Sequence, residues 1–168
     1  KAYVEAGCDC VTTNTFGANR HKIPGTSIAD LITAAVNNAK AANPKYVALD
    51  VGPIGQLLSP LGTLSFEEAY DLFKEQVVAG EKAGADVIIF ETFSDLMELK
   101  IGILAAKENT SLPVFATMSY QENGRTFVGT DPLSATITLS GLGVDALGVN
   151  CSLGPDELMP IVKTILEY

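Results

Sequence analysis

The chain has 168 residues, 47% of them hydrophobic and 18% charged, with a formal net charge of −9. That length suffices for one domain with a sizeable core, and the acidic balance leaves no basic footprint for nucleic acid or anionic lipid. No apolar run approaches the roughly 18 residues of a membrane-spanning helix, and three cysteines make no disulfide framework, which points to a reducing compartment, the cytoplasm.

In chain order, Lys1 to Ala6 reads as the last turns of a helix closed by Gly7, glycine being the residue that takes the left-handed position past a helix end. A strand over 10–15 follows. The next helix, from about Ser27 to Ala42, carries Ile28, Leu31, Ile32, Ala35, Val36 and Ala39 on one face, and Asn43-Pro44 ends it. Residues 46–50 form the second strand, leading into a loop with three Gly and two Pro between Gly52 and Gly62. A connection that long is usually functional. Ser65-Phe-Glu-Glu68 is a capping box that starts a helix to about Lys82. Strands at 86–91, 114–119 and 146–151 then alternate with helices from Leu96 to Lys107, from Asp131 to Ser140, and from Gly154 to the end.

A repeat underlies this rhythm. Gly7-Cys-Asp9, Gly84-Ala-Asp86 and Gly143-Val-Asp145 each precede an apolar strand that ends on polar residues. With the glycines aligned, Asn14, Glu91 and Asn150 coincide, as do Thr15, Thr92 and Cys151. A recurring helix, turn and strand marks a βα unit used several times over. The first strand has no Gly-rich phosphate turn, which argues against a doubly wound sheet. Polar groups at successive strand ends are the mark of a (β/α)8 barrel, whose site lies at the C-terminal face of its strands. The predicted fold is therefore α/β, an incomplete (β/α)8 TIM barrel with about five parallel βα units, since a whole barrel takes about 250 residues.

The residues expected to converge are Asn14, Asp50, Glu91, Ser119, Asn150 and Cys151. On residue chemistry alone Cys151 could be a packing residue, a zinc thiolate or a nucleophile. Lone His21 lies past its strand tip and reads as a surface residue, so no base is evident for a nucleophile. Cys8 and Cys10 sit at the opposite end of their strand and read as small apolar filler. No lysine stands at any of the five tips, which disfavours aldolase or lyase chemistry.

Thr13-Asn-Thr-Phe-Gly-Ala-Asn19, Leu49-Asp-Val-Gly-Pro53, the stretch from Gly84 to Phe93, and above all Gly148-Val-Asn-Cys151 resemble the homocysteine S-methyltransferase barrel family. The likeness is greatest to the homocysteine-binding domain of cobalamin-dependent methionine synthases, and it covers essentially the whole chain. It implies that Cys151 is the first of three zinc thiolates, that Glu91 helps to hold homocysteine, and that Asn14 and Asn150 line its pocket, with Asp50 and Ser119 at neighbouring tips. Residues 1–168 are then a partial barrel domain lacking the first unit and the last two. The adjacent cysteine pair that supplies the family's other two thiolates is not among these residues.

Methylcobalamin and 5-methyltetrahydrofolate would be brought by further domains, to give methionine. A betaine-type or S-methylmethionine-type donor is the alternative, as is a piece with no catalysis of its own. Tyr120 and the loop after Asp50 are expected on the donor side. Five units cannot close a barrel, so self-association through the open sheet edges is a further expectation.

Overall fold

The structure, a computed structural model, describes residues 1–168. Five strands, β1 (Cys10–Thr12), β2 (Tyr46–Val51), β3 (Val87–Phe93), β4 (Val114–Met118) and β5 (Ala146–Val149), pair in parallel in the order β1-β2-β3-β4-β5. The helices are α1 (Ala2–Glu5), α2 (Ile28–Lys40), α3 (Phe66–Ala83), α4 (Leu96–Asn109), α5 (Pro132–Gly141) and α6 (Pro155–Leu166). Sequential parallel strands joined by right-handed crossovers place the connecting helices on one face. The result is the open arc of βα units that the sequence predicts. None of the helices is long and apolar enough to cross a membrane.

The Gly-x-Asp repeat has a concrete role in building this sheet. Gly84 and Gly143 take the left-handed conformation that turns the chain out of a helix. The aspartate two residues on then pairs with the start of the preceding strand. The Asp86 carboxylate accepts the Val47 N–H at 2.7 Å, and the Asp145 carboxylate accepts that of Val114 at 2.8 Å. The second and third repeats therefore begin by satisfying a backbone donor that the sheet would otherwise leave open.

The core lies between the strands and their helices. Leu49, Ile88, Phe90, Val114 and Ala116 are fully buried there. Phe73 of α3 packs against Phe90 and Phe93 with ring centroids 5.9 and 6.0 Å away. Helix α4 approaches closely because it carries Gly102: a Cβ there would lie 2.7 Å from the Phe90 ring. Side chains alternate faces along a strand, so the partners on the opposite, inner face are Tyr46, Ala48 and Asp50 of β2, Val87 and Ile89 of β3, and Phe115 and Thr117 of β4. Tyr46 and Phe115 remain exposed on that face.

Strand bounds differ from expectation where side chains take over from the backbone. β1 stops at Thr12 instead of residue 15, because the Thr13 hydroxyl accepts the Asp50 N–H at 3.0 Å and the Thr15 hydroxyl donates to the Asp50 carbonyl at 2.6 Å. β5 stops at Val149 because Cys151 and Ser152 both turn to positive φ. β3 instead runs on to Phe93, and Tyr120, expected near the donor side, is almost wholly buried.

Candidate functional site

At the C-terminal end of β3 the ladder contains a bulge. Phe90 pairs with Ala116 and Phe93 with Met118, so Glu91 and Thr92 together oppose Thr117 alone. The extra residue brings both side chains to the strand tip, the usual effect of a bulge near a site. Thr92 accordingly sits at φ 65°, rare for a β-branched residue. Cys151 and Ser152 are left-handed too, with φ of 56° and 62°. Backbone of this kind costs of order 1 to 3 kcal/mol per residue and persists where its surroundings hold it.

A hydrogen-bond network joins these tips. Asn150 Oδ1 accepts the Thr92 N–H at 3.1 Å and the Thr117 hydroxyl at 2.9 Å. Asn150 Nδ2 donates to Thr92 Oγ1 at 2.8 Å and to Cys151 Sγ at 3.5 Å, and Thr92 Oγ1 lies 3.7 Å from the same sulfur. The Ser119 hydroxyl donates to the Asn150 carbonyl at 3.0 Å. Ser119, Asn150 and Cys151 are thus brought together, with Thr92, which the repeat aligns with Cys151, and with Thr117, which residue-by-residue reading passes over. Thr117 could have been found from Ser119, since positions two apart share a face of a strand.

Asp50 and Glu91 are the carboxylates of this end of the inner face. Asp50 is buried, and its Oδ1 has no hydrogen-bond partner. Loss of solvent, with the neighbouring Glu91 charge adding to it, pushes the Asp50 carboxyl up to about 7. A strand-end aspartate that merely caps a turn would accept a backbone N–H, as Asp95 does from Met97 at 2.8 Å. Asn14 stands apart: it is exposed, and with Val11, Thr12 and Leu31 it borders a groove of about 460 Å³ between β1 and α2.

The long loop after β2 is pinned by residues the sequence does not single out. Glu98, buried in the first turn of α4, accepts the Ile54 N–H at 2.7 Å. Burial pushes its carboxyl up to about 7 although this hydrogen bond opposes the rise. Lys22 donates to the Pro53 carbonyl at 2.7 Å and lies over the Phe16 ring. His21 is not an isolated surface residue: Nδ1 is 3.1 Å from Gln56 Nε2 and Nε2 is 3.4 Å from Glu68 Oε1. A concavity of about 530 Å³ beside His21, Ser65 and Glu68 shares no residue with the strand tips.

All three cysteines are free, and Cys151 is exposed. A catalytic zinc takes three protein ligands and keeps a fourth position open, whereas no three His, Cys, Asp or Glu side chains gather in this chain in a way that could hold a metal. Its donor set therefore fits a zinc ion only in part, through one thiol.

An arc of parallel βα units with a thiol, two carboxylates and amide groups at its strand ends defines the class: an α/β barrel-type enzyme domain with its chemistry at the C-terminal face. The profile of the family described as homocysteine S-methyltransferase matches residues 1–168. This chain belongs to the homocysteine S-methyltransferase family. The methionine synthase of Mycobacterium tuberculosis is 32% identical over 99% of the chain, and that of Mycobacterium leprae 30% identical over all of it. The chain spans 15% of the length of each of these relatives. Among solved structures, the homocysteine methyltransferase MmuM from Escherichia coli matches with a TM-score of 0.77 in its apo form and 0.78 in its metallated form, at 22% and 21% identity. Those matches cover 98% of this chain and 62% and 64% of the MmuM chain, and they speak for the fold.

Proposed function

We propose that this chain is the homocysteine-binding part of a methionine synthase, in which homocysteine receives a methyl group at sulfur. The observation that carries this reading is the exposed Cys151 thiol at the tip of β5, hydrogen-bonded to Asn150 beside the bulge that carries Glu91. Identity above 30% to a mycobacterial methionine synthase over nearly the whole chain supports it. Cys151 is one of three zinc thiolates, the other two coming from outside these 168 residues. Bound zinc supplies a Lewis acid that keeps a substrate thiol ionised at neutral pH.

The chain's own groups bind and orient the amino acid. Glu91 and Asp50 present negative charge to the substrate ammonium, a charge-assisted contact. An ammonium beside Asp50 would meet the carboxylate oxygen that has no partner in the protein. Ser119 and Asn14 lie at the rim. Methylcobalamin and 5-methyltetrahydrofolate act as donors through other domains of the same protein, which works in the cytoplasm.

The test is Cys151→Ser in the whole protein. A hydroxyl is nearly isosteric with a thiol but a poor zinc ligand beside a thiolate. Zinc by elemental analysis and methionine formation should both be lost, with the circular dichroism spectrum unchanged. Stoichiometric zinc retained in that variant would refute the assignment. Turnover with 5-methyltetrahydrofolate, set against betaine and S-methylmethionine, identifies the donor.

A further inference from the structure

Asn150 spends its entire side-chain amide inside the protein. A primary amide has two N–H donors and an oxygen that accepts two hydrogen bonds. Both donors are used, on Thr92 Oγ1 and Cys151 Sγ, and both acceptor positions, by the Thr92 N–H and the Thr117 hydroxyl. Nothing of the amide is left for a ligand. Three of the four contacts also reach a position that needs holding: Thr92 is the left-handed residue of the β3 bulge, and Cys151 is the first of two left-handed residues after β5. The two segments are 58 positions apart in sequence, and this amide bridges them.

We propose that Asn150 is a positioning residue that sets the orientation of the Cys151 thiol, with Thr92 as its partner, and makes no contact with the amino-acid substrate. It acts in two ways. Its N–H directs a donor at the sulfur, and its oxygen ties the tip of β5 to the bulge, so that thiol and Glu91 keep a fixed relation. Groups of this kind orient metal ligands, and their loss costs tenfold to a hundredfold in metal affinity. The inference rests on reading Cys151 as a zinc thiolate, and the test separates the two.

Zinc release to a colorimetric chelator and the KM for homocysteine are measured in the whole protein for wild type, Asn150→Ala and Thr92→Val. Valine has the shape of threonine and leaves the Thr92 N–H to Asn150 intact, but it removes the hydroxyl that faces both Asn150 and the sulfur. Zinc should leave Asn150→Ala at least tenfold faster and Thr92→Val about threefold faster, with KM within twofold of wild type. Wild-type zinc release together with a tenfold higher KM would overturn the proposal and make Asn150 a substrate contact. Wild-type values of both would overturn it as well. If Asn150→Ala does not fold, Thr92→Val decides by the same two readings. Failure of the underlying assignment shows separately, as zinc retained by Cys151→Ser.

Discussion

Along β2, neighbouring residues meet opposite conditions. Leu49 and Val51 are fully buried beneath the helices, whereas Tyr46 on the inner face is 47% exposed and Asp50 keeps a carboxylate oxygen without a partner. The same division runs through β4, with Val114 and Ala116 at 0% exposure and Phe115 at 38%. One face of the sheet carries its stability and the other carries groups placed for chemistry. Buried apolar area contributes roughly 25 cal/mol per Å², and the inner face gives up that contribution to keep charged and polar groups at its end.

Substitutions on the two faces should separate cleanly, and the largest effect belongs to the helix side. Phe90→Ala leaves a cavity under Phe73, Phe93 and α4 and should cost about 3 to 5 kcal/mol in urea unfolding. A cost below about 1 kcal/mol would show that this face is not the main core.

Asp50→Asn tests the opposite face, and its sign depends on pH. The Asp50 carboxyl is raised from 3.8 to about 7 in the folded chain, so the native state holds its proton more tightly than the unfolded state. Its contribution to stability is complete below pH 4 and is lost as pH rises through 7. At pH 8 the asparagine variant should therefore be more stable, by about 1 to 2 kcal/mol once solvent screening on this open face is allowed for. At pH 4 the two should coincide. The slope that remains between pH 4.5 and 7 belongs to Glu98, which is shifted in the same direction. Homocysteine should bind this variant more weakly by calorimetry. A variant both more stable and equally good at binding would remove Asp50 from the site.

Gly102→Ala probes the close approach of α4 to β3. Overpacking against Phe90 costs about 1 to 3 kcal/mol, and about 1 kcal/mol of helix propensity is regained. A net loss near 1 kcal/mol is expected in thermal unfolding, and a gain would mean that the helix can move aside. The smallest effect is that of Phe115→Ser on the inner face, within about 0.5 kcal/mol as for other exposed positions.

Much of the architecture was legible in the chain. Ser65 caps α3 by accepting the Glu68 N–H, as its capping box predicts, and Asp131 caps α5 in the same way, with Pro132 at its first position. The Gly-x-Asp repeat located three strands, and its aspartates proved to pair with the preceding strand in two of them. The tips at Ser119, Asn150 and Cys151 were legible because each ends an apolar run. Tyr120 was misplaced because an aromatic side chain after a strand can turn into the core or out of it, and only packing decides which.

What the sequence determined by itself was the order and kind of the elements and the residue types at their ends, since apolar periodicity, caps and turn glycines act over a few residues. The tertiary structure alone decided how those ends meet. The bulge that brings out both Glu91 and Thr92 exists only in the pairing of β3 with β4, and the Asn150 amide finds Thr92 58 positions away. Asp50 Oδ1 is shielded from solvent without a hydrogen-bond partner because of what folds around it. Hydrogen-bond partners so far apart leave no local periodicity in the chain, and they become neighbours only when parallel strands settle in register.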